Sequence, residues 1–214
     1  MANLSTKELI LQVSKELFYN QGYIKTTIRQ IRIGASNQNI HYYYKNKKDL
    51  AAAIYEGYLM HIRSEILNYN IPELTDNFLL YFVMHIKVYK HILKDPHNRK
   101  YYIESMKDSQ LEYIKIIFDK EFDQVTDIAK KNYEKVLTID TMKYYAMVVL
   151  SCQEAVFTNY FEGNLNFSLD EIIKMILELV PQLFGVSEEI TKEYYEKAQN
   201  ITSVIDLSHI KLLI

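Results

Sequence analysis

Apolar residues recur at spacings of three and four along almost the whole chain, the mark of helices that each bury one face. Over residues 5–21, Leu9, Ile10, Val13, Leu17 and Phe18 share a face. Ser5 and Glu8 have the spacing of a capping box, and Gly22 supplies a left-handed stop. A short second helix starts at Thr26 or Thr27, carries Ile28 and Ile31, and breaks at Gly34-Ala35. Ser36 is placed to cap a third helix from Asn37 to about Tyr44. Its Ile40 and Tyr44 point inward, leaving Asn37, Gln38, Asn39, His41 and Tyr42 outward. Asn46, with Asp49 three residues on, opens a longer helix whose stripe is Leu50, Ile54, Tyr58, Ile62 and Ile66.

Asn70-Ile71-Pro72 interrupts that helix near Asn68. Residues 73–93 form another helix, Asp95-Pro96 breaks the chain, and 97–135 hold two more, divided near Lys107–Ser109. In 140–162, Met142, Ala146, Val149 and Val156 make one stripe, and Tyr145, Val148, Cys152 and Ala155 a second. The segment 168–184, opened by Ser168 and Glu171, confines Asp170, Lys174, Glu178 and Gln182 to one narrow strip. A helix so nearly apolar has two faces to bury, one on its own core and one on a twofold-related copy, which together give an intermolecular four-helix bundle. The alternative is the central helix of a monomer. Residues 187–200 form a further helix, followed by an apolar-ended tail. With only 5 Gly and 3 Pro among 214 residues, the expected fold class is all-α.

Composition adds bounds. The length suits one large or two small domains, and 49% hydrophobic with 24% charged residues is globular. A single cysteine, Cys152, excludes an internal disulfide framework, and its apolar stripe suggests a buried, inert thiol. No apolar run approaches the length of about 18 residues of a membrane helix, and the N-terminus lacks a signal-peptide core, so a soluble, cytoplasmic protein without a membrane partner is expected. The net charge of −2 conceals an asymmetry. Residues 1–50 carry eight lysines and arginines against three acids, a surplus of +5, and the remainder carries 17 against 24, a deficit of −7. A basic head on an acidic body suits phosphate binding by the head.

A helix, a glycine turn and a polar, aromatic second helix together make a helix-turn-helix, whose second helix fits the DNA major groove. Leu17-Phe18, Gly22, Thr26-Thr27-Ile28, Ile31, Ser36, Ile40, Tyr43-Tyr44, Lys47 and Leu50 resemble the tetracycline-repressor (TetR) family in order and spacing. The likeness covers roughly the first fifty residues. Two departures stand out: about two residues fewer lie between Ile31 and Ser36, and Gln38 occupies a position where the family commonly has glycine.

The resemblance implies an all-α homodimer with a DNA-binding helix-turn-helix domain over 1–46 and a ligand-binding and dimerisation domain over 47–214. It places Thr27, Asn37, Gln38, Asn39, His41, Tyr42, Tyr43 and Lys47 on a double-stranded operator, Lys47 holding a phosphate at the start of its helix. It also implies a pocket for an unknown small-molecule effector. Aromatic and apolar residues, several with polar tips, suit that role: His61, His85, Tyr89, Tyr102, Met106, Tyr113, Phe118, Tyr145 and Phe157. The function so implied is a ligand-responsive transcriptional regulator, a repressor released from its operator by the small molecule. The alternative is a DNA-binding structural protein of the same fold without an effector. No cofactor, metal or catalytic residue is expected: HExxH, CxxC, GxSxG and glycine-rich phosphate loops are missing, and no two of the six histidines (41, 61, 85, 91, 97 and 209) are four apart.

Overall fold

The computed structural model describes residues 4–36, 39–116 and 138–214, and among these every regular element is a helix. Helix α1 (Thr6–Gln21) starts at the expected capping box, the Ser5 amide donating to Glu8 Oε2 at 2.8 Å. It stops at Gly22, whose φ of 88° lies where side-chain-bearing residues are strained. Its buried line is Ile10, Ser14 and Phe18, and Leu9 is exposed, against the expected stripe. Ser14 tolerates burial by donating its hydroxyl to the Ile10 carbonyl at 2.7 Å.

Helix α2 (Ile28–Gly34) is capped by Thr27, which exchanges a box with Gln30. Thr26 is buried and donates its hydroxyl to the Gly22 carbonyl at 2.7 Å. The helix ends at Gly34-Ala35 as expected, but the role of Ser36 differs from the sequence reading. Gly34 is the last helical residue, and Ser36 is the one that turns left-handed, at φ 48°, so it does not cap α3. Gly34 is needed for space instead: a Cβ there would lie 2.7 Å from Val13 Cγ1, where α2 crosses α1. Helix α3 (Ile40–Tyr43) is a single turn, shorter than expected, and Asn39 precedes it without a side-chain cap. Asn37 and Gln38 lie outside the described residues.

Helix α4 (Lys47–Asn68) is capped by Asn46 and buries all five expected stripe residues. After Asn70 at φ 51°, Pro72–Thr75 form a 3-10 turn and Asp76 caps α5 (Asn77–Lys94), so the helix expected from 73 begins four residues later. Helix α5 is buried on nearly every side and packs on α4, on α6 (Pro96–Asp108), on α9 (Leu169–Leu183) and most extensively on α10 (Glu188–Val204). Among the described helices, the most enclosed is therefore α5. Helix α7 (Gln110–Ile116) follows α6 after Ser109, in accord with the expected division; the remainder of the 97–135 reading lies outside the described residues.

Helices α8 (Ile139–Phe161) and α9 pack on each other and bury one face each. Their other faces keep apolar residues in the open: Tyr144 at 62% exposure, Met147 at 45% and Met175 at 43%. Pro181 lies inside α9 and removes the amide that would bond the Leu177 carbonyl; the Tyr81 hydroxyl donates to that carbonyl instead, at 3.3 Å. Helix α10 runs to Val204, longer than expected, and the tail after it folds back to bury Ile205, Leu207, Ile210, Leu212 and Leu213. Lys87 Nζ donates to the Ile205 carbonyl, and Tyr69 clasps the backbone of Asp206. Among the described residues, no helix is long and apolar enough to cross a membrane.

Candidate functional site

Two places gather the chemistry that the sequence points to. The first is the outer face of α3. Ile40 and Tyr44 are buried with Ile31 beneath it, as their spacing requires. Burial pushes the Tyr44 hydroxyl up to about 12. Outside, Asn39 and His41 are exposed, and Tyr42 (85% exposed) meets Tyr43 edge-on at 5.2 Å. His41 Nδ1 is 3.0 Å from the Lys45 carbonyl, which ties the ring to the end of the turn. Thr27 is exposed at the start of α2, its hydroxyl engaged with Gln30.

Lys47 departs from its expected place on a phosphate. Its ammonium donates to the Tyr23 and Thr26 carbonyls at 3.0 and 3.1 Å and lies 4.1 Å from the centre of the Tyr23 ring. Burial lowers its pKa, although Asp108 and Glu104 nearby favour the charge. Both carbonyls belong to the α1–α2 connection, where the Tyr23 carbonyl also accepts the Thr26 amide at 3.1 Å, and the half-buried cation bonds the two together.

The second place is a chain of rings between α4, α5, α6, α7 and α8. His85 lies tilted between Tyr81 and Tyr89, at 4.6 and 5.8 Å. Tyr89 meets Phe157 at 5.6 Å, and Phe157 meets Tyr102 at 6.5 Å. Tyr55 closes the chain, 5.5 Å from Tyr102 and 4.8 Å from Tyr113. Of the expected pocket residues, His85, Tyr89, Tyr102, Tyr113 and Phe157 are thus linked, and Met106 is buried on the same helix as Tyr102. His61 is not among them: it stands on the exposed side of α4, its Nε2 4.0 Å from Glu65. Tyr145 packs on Phe184 at 5.2 Å, apart from the ring chain, and Phe118 lies outside the described residues. Cys152 is half-buried rather than enclosed, and desolvation raises its thiol pKa.

Sequence reasoning missed two polar residues in this interior. Ser105 Oγ is 2.8 Å from the Tyr113 hydroxyl. Gln153, 5% exposed, donates from Nε2 to the Tyr89 hydroxyl at 2.7 Å, and its Oε1 has no partner. The signal for Gln153 was present, since it stands four residues from both Val149 and Phe157 on the buried face of α8.

Helix α6 joins the two places. On one side it carries Tyr102, Ser105 and Met106; on the other it grips α1 and the turn after it. Tyr101 stacks on Phe18 at 5.3 Å, and Glu104 Oε2 accepts the Ile24 amide at 2.9 Å. His97 stacks on Tyr19 at 4.5 Å. At its end, Asp108 accepts the Tyr23 hydroxyl at 2.7 Å and pairs with Lys48 at 3.3 Å. Those two groups hold the Asp108 carboxyl below its usual range, the tyrosine hydrogen bond most of all.

A family model described as bacterial regulatory proteins, tetR family, matches residues 10–54, from within α1 to the first turns of α4. Residues 10–54 are thus similar in sequence to the TetR family. The TetR-type fold extends over the rest. RolR in complex with its ligand resorcinol is similar with a TM-score of 0.61 at 13% identity, over 96% of each chain. A putative TetR-family transcriptional regulator from Syntrophomonas wolfei has a TM-score of 0.53 at 17% identity, over 84% of this chain and 94% of its own. At such identities the likeness is one of fold. No curated protein matches the sequence of this chain.

Proposed function

We propose that the chain is a ligand-responsive DNA-binding regulator, a repressor whose operator affinity falls when a small molecule enters the ring-lined interior. In this reading residues 1–46 form the DNA-binding domain and 47–214 the ligand-binding and dimerisation domain. Thr27, Asn37, Gln38, Asn39, His41, Tyr42 and Tyr43 meet the operator, where amides read base edges and tyrosines bond phosphates or touch thymine methyls. Lys47 acts as scaffold, and the exposed Lys45 that follows α3 takes over the phosphate contact. The open apolar residues of α8 and α9 support pairing with a second copy, which would bring two α3 helices to bear on one duplex. RolR, similar in fold, is known with resorcinol bound, which favours a small aromatic effector here.

The observation that carries the reading is the double engagement of α6. A ligand that pushes on Tyr102 acts on the same rigid helix whose Tyr101, Glu104 and Asp108 hold the head. A ligand that favours one position of α6 shifts the spacing of the two heads, and about 1.4 kcal/mol of such coupling changes operator affinity tenfold. The test is duplex binding with and without ligand. Ligand bound at saturation with operator affinity unchanged would remove the ligand-responsive half of the reading.

A further inference from the structure

The interior ring chain is polar at few points, and the hydroxyls of Ser105 and Tyr113 are bonded to each other. Gln153 is the exception. Its amide nitrogen is committed to Tyr89, while its carbonyl oxygen is buried without a hydrogen-bond partner. A buried carbonyl in that condition carries a desolvation penalty that a donor brought by a ligand would relieve. The rings nearest to it, Tyr89 and through it Phe157 and Tyr102, offer flat apolar faces and no cation or carboxylate of their own. Burial there is deep enough to push the Tyr113 hydroxyl far up, so an anion entering among these rings would meet the same penalty.

We infer that the effector is a neutral, mainly aromatic molecule carrying a hydroxyl or N–H group, and that this group donates to Oε1 of Gln153. The inference rests on the ligand-responsive reading above and adds the class of ligand and its polar anchor. A site that hydrogen-bonds a hydroxyl rejects the analogue lacking it far more strongly than an apolar pocket rejects an altered outline. Discrimination should therefore follow the donor rather than the size of the ring system.

The experiment is calorimetry on the full chain with phenol and 2-naphthol, their methyl ethers, and benzoate and 2-naphthoate. Each probe that binds is then added to the chain on duplex DNA selected for binding. The expected result is that at least one of the two hydroxyl compounds binds about tenfold or more tightly than its ether, with its carboxylate weaker still. In Gln153→Leu that ratio should fall to about one while ether affinity is retained. The wild-type comparison needs no variant, so it stands even if the leucine chain folds poorly. Equal or tighter binding of the ethers, tightest binding of the carboxylates, or no binding by any probe would overturn the inference. If an ether or carboxylate both binds and releases DNA, the donor class fails while the regulator reading stands. If a hydroxyl compound binds through Gln153 but leaves DNA affinity unchanged, the donor class stands and the regulator reading fails.

Discussion

The head and the ring-lined interior use polar side chains in opposite ways. At the helix starts and the α3 face of the head they work at the surface and over short distances: Ser5, Thr27 and Asn46 each close a helix start three residues ahead, and Asn39, His41 and Tyr42 face outward. In the interior, Gln153, Ser105 and Tyr89 reach groups from 8 to 64 residues away and are shielded from water. Surface polar groups lose little when a partner departs, because water replaces it. Buried ones cannot make that exchange. The outer face of α3 can therefore be altered without unfolding the chain, whereas a change in the interior costs stability. Helix α6 belongs to both regions.

The sharpest way to break this contrast is Phe157→Ala. Phe157 is fully buried between Tyr89 and Tyr102, so the expected loss is about 3–5 kcal/mol in urea unfolding, with no compensating ring on the surface. A cost below about 1 kcal/mol would mean that the interior is loosely packed and the contrast is false. Gly34→Ala comes next. Its Cβ would press on Val13 at 2.7 Å, and overpacking of this kind costs about 1–3 kcal/mol. The double variant with Val13→Ala should recover most of that loss, which shows that the glycine serves the α1–α2 crossing rather than a turn.

Thr27→Ala tests the local logic of the head. Loss of the cap on α2 should cost about 1 kcal/mol, and a much larger effect would make the head less modular than described. Asp108→Asn has the smallest expected effect on stability. The Lys48–Asp108 pair is 42% and 48% exposed at its side chains, so its removal should cost below about 1 kcal/mol. Because the folded carboxyl is held low, the wild-type contribution is fully present above the ordinary pKa of about 4 and is lost as pH falls through the lower folded value. Wild type should thus lose its advantage over Asp108→Asn on acidification, as read from urea midpoints at pH steps downward from neutrality.

Much of the head was legible in the sequence because its determinants are local. Capping boxes, the four-residue pairing of Ile40 with Tyr44 and the apolar stripe of α4 all depend on spacing within one or two turns. Where local reasoning failed, a distant neighbour decided the outcome. Ser36 turns left-handed instead of capping α3, and Gly34 is held in α2 against Val13. Lys47 faces inward because two carbonyls of the α1–α2 connection lie within its reach. In the interior, the choice of polar-tipped aromatics took in the buried Tyr89, Tyr102 and Tyr113 together with His61, which shares their chemistry and not their burial. The enclosure of α5 was equally invisible, since it arises from α10 and the folded-back tail, not from the composition of α5 alone.

The most direct measurement is the affinity of the full chain for a duplex selected from a random pool, followed by anisotropy across a salt series for wild type and Tyr42→Ala. Wild type is expected to bind at submicromolar affinity, weakening steeply as salt rises, with Tyr42→Ala weaker by about tenfold at every salt concentration and unchanged in fold. No selectable duplex, or binding indifferent to Tyr42 while the chain remains folded, would contradict the assignment of the α3 face to DNA.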